Sequence, residues 1–351
     1  MSFIDKSGER PAFLRNCFNG CRQIKDFADV SWVKSRTLKM LQSYRVIRKD
    51  EIASSSNLKD LRGELMAIYT APTSDWDIPQ RSVIWRENPR SAFVSMPAYS
   101  ESDQFFICKI GAIVPQPATA GVTSSSIIVA ISARDGTLLA ILDGAAITNL
   151  KCAAVAALVT EYCAPRDSRV LGLVGAGVQA LQQVRAAVSV REIERIQVYS
   201  RSAARAEGFI ERACQVAPSA EFVICDSPAR AIAGADVLVT ATTSTLPLIE
   251  SLDAVRPDVH INCMGAHTPQ SREIASAILR DSYLIVEDKP TALSEAGPDH
   301  AHAISISELI VATPPPTRQR TIFASTGHAL LDLIATKHVM NHVEARVKAN
   351  R

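Results

Sequence analysis

Apolar residues in the second half of the chain fall in short runs, and an amphipathic or capped segment separates each run from the next. The runs cover residues 170–174, 195–199, 222–225, 237–240, 260–264 and 283–286. The segments between them include residues 202–216, 227–233 and 271–279. Strands that alternate with helices at this interval pair in parallel and are joined by right-handed crossovers. The pattern predicts an α/β domain built on a doubly wound parallel sheet.

The first half of the chain carries a different pattern. Strand-like segments occupy residues 82–85, 93–96, 104–114, 125–133 and 138–142. Only weak helical signals interrupt the last four, which predicts a meander-rich α+β domain. Residues 145–164 then follow a helical periodicity that ends before Pro165. We expect this helix to carry the chain from the first domain into the second.

The first strand of the predicted parallel sheet runs directly into a glycine-rich turn. The turn consists of Gly175, Ala176, Gly177, Val178, Gln179 and Ala180, and a helical pattern follows it. Such a turn lets backbone N–H groups and the positive end of a helix dipole approach a pyrophosphate, as in the Rossmann fold. The sequence therefore predicts a dinucleotide site at these residues. A glycine turn with a purely structural purpose is the alternative.

The residues after the second parallel strand indicate which dinucleotide binds. An NAD site normally places a carboxylate there for the ribose 2′-hydroxyl. This chain instead has Ser200, Arg201, Ser202 and Arg205. A guanidinium can bind two oxygens of a 2′-phosphate, so the pattern favours NADPH, with NADH as the second candidate. The alternative is a helix-capping serine beside surface arginines.

Two loops follow later strands of the same sheet, at residues 240–244 and 265–269. In an open parallel sheet the ligand lies outside the carboxyl ends of the strands. We therefore expect nicotinamide and substrate to meet at these loops, with Thr240 and Thr242 as cofactor contacts.

Composition limits the function without defining a chemistry. Of the 351 residues 47% are apolar and 21% charged, which is ordinary for a globular protein of two domains. The net charge of +2 gives no field for nucleic acid or an anionic membrane, and we find no signal sequence or membrane span. The eight cysteines show neither zinc-ligand nor disulfide-framework spacing. We therefore expect a cytoplasmic protein without a metal site.

Ordered sequence matches between about residue 45 and about residue 345 resemble the ornithine cyclodeaminase/mu-crystallin family. They comprise Pro79-Gln-Arg81, Met96-Pro-Ala-Tyr-Ser100, Lys109, and residues 136–144, 153–157, 175–180, 265–269, 272–273 and 325–332. The resemblance implies an NAD(P)-binding domain at residues 151–324. It implies a substrate and dimerisation domain at residues 44–150 with 325–351, and hence a homodimer. Residues 1–43 form an extension that the resemblance does not cover, and we assign it no role.

The resemblance also implies that α-imino or α-amino acids are the substrates. Arg81 offers a fork that suits a substrate carboxylate, the alternative being a surface arginine on an edge strand. Lys109 is a lone charge in an apolar strand, where an unpaired ammonium is costly. The alternative is an edge-strand lysine that prevents aggregation. By resemblance Lys109 contacts the substrate carboxylate or imine nitrogen, and desolvation would lower its pKa into the range of a proton donor.

Three positions depart from the family pattern, and one of them is Ser124, which stands near where many members have histidine or small polar groups. Lys151 stands where members usually carry arginine, and it could bind the cofactor pyrophosphate or the substrate carboxylate, or simply lie on the solvated side of its helix. His267 replaces the aspartate that engages the amino group of ornithine in cyclodeaminases. It could donate a proton to an imine, or have no chemical task. Ser325 is a further candidate for contact with the cofactor.

These residues predict NAD(P)H-dependent reduction of a small cyclic imino acid, such as Δ1-pyrroline-2-carboxylate, to the L-amino acid. The first alternative is an ornithine cyclodeaminase or amino-acid dehydrogenase that works through the same imine. The second is a non-catalytic NADPH-dependent binding protein, as relatives of mu-crystallin suggest.

Overall fold

The computed structural model describes residues 44–71, 75–87, 90–114, 124–265, 268–269, 271–312 and 319–349. The predictions made for residues 1–43 and for His267 lie outside the described residues. Elements below are numbered along this part of the chain.

Seven described strands form a mostly antiparallel sheet. They are β1 (Arg45–Ile47), β2 (Trp76–Asp77), β3 (Ser82–Glu87), β4 (Arg90–Ser100), β5 (Phe105–Ile113), β6 (Ser124–Ser132) and β7 (Leu138–Asp143). The strand order is β1-β7-β6-β5-β4-β2, and β3 also pairs with β4. β1 runs parallel to β7, and the other pairs are antiparallel. The predicted meander is present, and β5, which carries Lys109, is an interior strand.

Three helices accompany this sheet: α1 (Lys49–Ser55), α2 (Leu58–Thr70) and α3 (Gly144–Cys163). The sequence analysis anticipates α3 to within a residue at each end but does not predict α1 or α2. A signal for α2 is present, because Leu61, Leu65 and Tyr69 recur every four residues and are all buried. Asn57 caps α2, since its Oδ1 accepts hydrogen bonds from the first turn.

Eight described strands form a second, wholly parallel sheet. They are β8 (Val170–Val174), β9 (Arg195–Tyr199), β10 (Glu221–Cys225), β11 (Val237–Thr240), β12 (His260–Cys263), β13 (Tyr283–Val286), β14 (Ile304–Ser305) and β15 (Thr321–Ala324). The order is β10-β9-β8-β11-β12-β15-β13-β14. This confirms the doubly wound α/β fold, and its topological switch point lies between β8 and β11. The sequence analysis does not predict β14, which has only two residues, or β15.

The second half of the described chain contains seven further α-helices. They are α4 (Val178–Val190), α5 (Ala203–Ala213), α6 (Pro228–Ile232), α7 (Ser276–Arg280), α8 (Lys289–Ala296), α9 (Ile306–Ala312) and α10 (Ala329–Ala349). The helix expected over residues 271–279 begins only at Ser276. Its expected first turn is instead an irregular segment, in which Ser271 and Glu273 bond to neighbouring loops. Among the described helices, none combines the length and the apolarity that a membrane crossing requires.

Packing brings the two sheets together around α3. One face of α3 lies in the core beneath the antiparallel sheet, with residues of α2 and α10, and α3 also contacts α4 of the dinucleotide unit. α10 therefore returns to the first sheet after the parallel sheet is complete. The domain boundaries given above remain a prediction.

Candidate active site

The turn between β8 and α4 is open on one side and closed on the other. Gly175 has a φ of +118°, and a Cβ built there would lie 2.5 Å from the carbonyl oxygen of Ala241, which follows β11. A Cβ at Gly177 would meet no atom within 4 Å. The chain thus needs glycine at position 175 to close the switch point, whereas position 177 borders open space.

The start of α4 faces that open space. No side chain caps this helix, so its first N–H groups are available to a ligand. Val178 is 63% exposed beside them. An uncapped helix N-terminus bordered by an exposed apolar residue fits the pyrophosphate of a dinucleotide. Gln179 instead donates a hydrogen bond to Asn149 of α3 at 3.0 Å, and Ala180 is buried between helix and sheet.

The group after β9 divides into two hydroxyls with local partners and two exposed cations. Ser202 caps α5 by accepting a hydrogen bond from the N–H of Arg205 at 3.4 Å. Ser200 accepts one from the N–H of Ser202, also at 3.4 Å. The guanidinium groups of Arg201 and Arg205 are exposed and form no hydrogen bond or ion pair with another described residue. They are available for an anion, although the capping serine foreseen as the alternative is also present.

A buried carboxylate fixes the loops after β11 and β12. Glu273 accepts hydrogen bonds from the N–H and Oγ1 of Thr242 at 2.6 and 2.5 Å, and from the N–H of Gly265 at 2.9 Å. Burial raises the pKa of Glu273, and these hydrogen bonds act against the rise. Thr242 is therefore engaged with Glu273. Thr240 has no exposed surface, so its side chain cannot touch a cofactor in this conformation.

A second carboxylate fixes the loop after β15. Glu287 accepts hydrogen bonds from Ser325 Oγ at 2.5 Å and from the N–H groups of Thr326 and Gly327 at 3.1 and 3.2 Å. The hydroxyl of Ser325, a predicted cofactor contact, thus already has a partner within the protein. The loop is held in place before it enters α10.

Two lysines share one buried carboxylate where β5, α3 and α10 meet. Lys109 Nζ lies 3.2 Å from Asp332 Oδ1 and 2.5 Å from Thr148 Oγ1. Lys151 Nζ lies 2.6 Å from Asp332 Oδ2 and 3.4 Å from the carbonyl oxygen of His328. Asp332 has no exposed surface. Two ammonium groups on one carboxylate leave the cluster with a net positive charge, which suits an anionic ligand.

The electrostatics of this cluster favour proton transfer at Lys109. Burial lowers the pKa of Lys109, and Lys151 lowers it further, while Asp332 acts in the opposite direction. Burial would raise the pKa of Asp332, but the two ammonium groups outweigh it and hold that pKa below its ordinary value. Asp332 thus stays ionised, and Lys109 becomes a better acid than an exposed lysine.

Two of the alternatives considered for these lysines are wrong. β5 lies between β4 and β6, so Lys109 is not an edge-strand lysine. The side chain of Lys151 is only 4% exposed, so it does not lie on a solvated helix face. Its ammonium joins the cluster of Lys109 through Asp332, rather than being presented as a free cation to the glycine turn.

Arg81 lines a cavity of about 390 Å³ between the two sheets. Its guanidinium forms an ion pair with Glu295 of α8 and donates hydrogen bonds to the carbonyl oxygens of Thr326 and Gly327 at 2.6 and 3.0 Å. The cavity is also lined by His328, and burial lowers the pKa of that imidazole, so it is neutral near pH 7. The walls come from residues 76–81, Met96 and the start of α8.

No group of three or more His, Cys, Asp and Glu side chains within the described ranges is arranged to hold a metal ion.

The sequence profile of the ornithine cyclodeaminase/mu-crystallin family matches residues 44–346. The chain belongs to this family. It is 30% identical to the ketimine reductase mu-crystallin of Mus musculus over 298 residues, 83% of this chain and 93% of the mouse protein. It is 28% identical to the Δ1-pyrroline-2-carboxylate reductase of Bacillus cereus over 277 residues, 74% of this chain and 84% of that enzyme.

Solved structures share the fold. The Δ1-pyrroline-2-carboxylate reductase of Thermococcus litoralis, in complex with NADH and L-proline, aligns with a TM-score of 0.80 at 25% identity. The alignment covers 86% of this chain and 98% of that one. An archaeal alanine dehydrogenase aligns with a TM-score of 0.76 at 24% identity, over 86% of this chain and 97% of that one, which shows the common fold.

Sequence reasoning missed several residues that shape this family member's site: Thr148, Glu273, Glu287, Glu295, His328 and the shared role of Asp332. For Asp332 a signal existed, because a carboxylate within the apolar run of residues 329–335 needs a buried cation. For Glu295 no comparable signal exists, since it lies in an ordinary polar segment.

Proposed function

We propose that this protein reduces a small cyclic imino acid, such as Δ1-pyrroline-2-carboxylate, to the L-amino acid with NADPH. The observation that supports this most strongly is the buried cluster of Lys109, Lys151 and Asp332, which contacts His328, and His328 and Arg81 line the same cavity. A cationic cluster and a guanidinium suit a ligand that is an anion with a protonatable nitrogen. The curated names of the relatives, ketimine and pyrroline-2-carboxylate reductases, support the same chemistry.

Each residue has a defined task in this proposal. Arg81 binds the substrate carboxylate through its planar fork. Lys109 donates a proton to the nitrogen, and Asp332 and Thr148 hold its ammonium in position. Lys151 keeps Asp332 ionised and adds to the positive potential. The nicotinamide, when bound, supplies the hydride, and the glycine turn with the start of α4 would hold the pyrophosphate.

The preference for NADPH rests on Arg201, with Arg205 in support. We expect Arg201→Ala to raise the KM for NADPH about 10- to 100-fold, because a charge-assisted hydrogen bond to the 2′-phosphate is lost. The KM for NADH should hardly change. Steady-state kinetics with both nucleotides measure this, and Arg212→Ala in the last turn of α5 is the control. Equal effects on both nucleotides would contradict the assignment.

The alternatives within the family are separated by one pair of assays. The reductase should consume NADPH with Δ1-pyrroline-2-carboxylate and release no ammonia from ornithine with oxidised nucleotide. Ammonia release from ornithine would establish a cyclodeaminase. If no imino acid in a panel of cyclic and linear compounds is turned over although NADPH binds, a non-catalytic binding protein is the better description.

We also propose a homodimer formed through the outer face of the antiparallel sheet. Ile84, Phe93, Ile110 and Ile127 lie on four adjacent strands, on the face opposite Lys109, and are 44–63% exposed. Ile84 is directly opposite Phe93, and Ile110 opposite Ile127. A row of apolar side chains across four strands is typical of a surface that another subunit covers.

We expect Ile110→Asp to convert the dimer into a folded monomer, because a carboxylate in an apolar interface would be desolvated without a partner. Light scattering after size-exclusion chromatography gives the mass, and circular dichroism checks the fold. Ile224→Asp, on an exposed position of β10 in the other sheet, is the control. An unchanged mass for Ile110→Asp would place the interface elsewhere.

A cytoplasmic location is also part of the proposal, since the cysteines of the described residues are free thiols.

A further inference from the structure

The fork of Arg81 is already occupied by a carboxylate of the protein. Arg81 Nε faces Glu295 Oε1 and Nη2 faces Glu295 Oε2, so both carboxylate oxygens are engaged. This is the two-point arrangement in which a guanidinium binds any carboxylate. A ligand carboxylate that approaches the same two nitrogen atoms would find Glu295 in its place.

The partners of the guanidinium differ in how firmly they are held. Nη2 donates to the carbonyl oxygens of Thr326 and Gly327 as well as to Glu295, and those carbonyls belong to the loop that Glu287 fixes. Glu295 instead belongs to α8, a helix of eight residues in which only two of the residues are buried. Gln80 donates a hydrogen bond to Ser294 of this helix at 2.7 Å, which holds the helix but not the Glu295 side chain. Glu295 is therefore the partner of Arg81 that can yield.

Glu295 and Asp332, the two carboxylates that pair with the candidate site cations, also differ in exposure. Asp332 has no exposed surface and two lysine partners, so it cannot leave its cations. The side chain of Glu295 is 23% exposed, which gives its carboxylate a path to solvent. Burial raises the pKa of Glu295 and Arg81 acts against the rise, so the carboxylate is poorly solvated where it stands.

We propose that Glu295 is an internal competitor for the substrate carboxylate, which occupies the fork of Arg81 in the empty enzyme and leaves it when substrate binds. The binding energy of the substrate is then reduced by the energy needed to displace Glu295. The inference rests on the proposed function in one respect, namely that Arg81 receives the carboxylate of the ligand.

The decisive experiment replaces each partner of the Arg81–Glu295 ion pair in turn. Glu295→Gln should lower the KM for Δ1-pyrroline-2-carboxylate about tenfold, equivalent to about 1.4 kcal/mol, with kcat unchanged. Arg81→Lys should raise the same KM. If the pair were merely structural, both substitutions would weaken the site, and their effects would have the same sign. Glu308→Gln, which removes an exposed carboxylate paired with Lys289 at the start of α8, is the matched control.

A binding measurement separates this inference from the proposed reaction. Calorimetry with NADP⁺ present should show L-proline binding about tenfold more tightly to Glu295→Gln than to the wild type. Pyrrolidine, which has no carboxylate, should bind both equally. If the wild type reduces no imine, the proposed function fails, yet the proline result still decides the role of Glu295. An unchanged or weaker affinity for L-proline would overturn the inference. Should Glu295→Gln melt early, Glu295→Asp provides the test, with a smaller change in the same direction.

Discussion

Replacement of Lys109 by Met is expected to lower kcat for imino-acid reduction by about a thousandfold, while the fold and the affinity for NADPH are retained. Loss of a positioned proton donor typically costs a factor of about 10² to 10⁴. Methionine fills the same space in the strand, and Asp332 keeps Lys151 as its counterion, so no buried carboxylate is left unpaired. Steady-state kinetics at saturating NADPH measure the effect.

The matched control is Lys337→Met. Lys337 also pairs with a carboxylate, that of Asp103, but the pair is partly exposed and neither residue lines the cavity. It should leave kcat within about twofold, because partly exposed ion pairs contribute little. If Lys109→Met keeps full activity, Lys109 is not the proton donor, and the proposed chemistry of the cluster is wrong.

Gly177→Val is expected to abolish NADPH binding without harm to the fold. The structure leaves open space where the new side chain would stand, and the φ of −90° at Gly177 suits any residue. Gly177 is also the N-cap of α4, where valine is less favourable than glycine, so the unliganded variant should melt only about 2–4 °C below the wild type. A bound pyrophosphate would need the same space, so the affinity for NADPH should fall at least about a hundredfold. Calorimetry and thermal melts with and without NADPH give both quantities.

Gly63→Val on α2 provides the comparison, because a Cβ there also meets no neighbouring atom. It should retain full affinity for NADPH. A Gly177→Val variant that still binds NADPH like the wild type would show that the nucleotide does not contact this turn. An early melting transition of the unliganded variant would show instead that the position is structural.

The sequence predicted those features that depend on residues close together in the chain. The β8–α4 turn is an example, since a strand, two glycines and a helix follow one another within 170–190, and each has its own local signature. The alternation of strands and helices is also visible in the local sequence, and it predicts the doubly wound sheet. The family resemblance then added Arg81 and Lys109, which local pattern alone left open between a site and a surface.

The features that the sequence analysis does not predict depend on contacts between distant parts of the chain. Lys109 and Asp332 are 223 residues apart, and Arg81 and Glu295 are 214 apart. No periodicity links such residues, and only Lys109 in its apolar strand and Asp332 in α10 stand out within their own segments. The strand β15 is a similar case, because its four residues gain their place between β12 and β13 only once the sheet has formed. Thr242 and Ser325 are predicted cofactor contacts, but each donates a hydrogen bond to a carboxylate 31 or 38 residues away in the chain, which the local pattern does not reveal.

The most direct test of the central claim compares the amounts of cofactor consumed and product formed in one reaction. Wild-type protein is mixed with NADPH and Δ1-pyrroline-2-carboxylate, and the NADPH consumed is compared with the L-proline formed. The account predicts equal amounts of each, with the L enantiomer as the product. NADPH that binds but is not consumed, or consumption without L-proline, would contradict it.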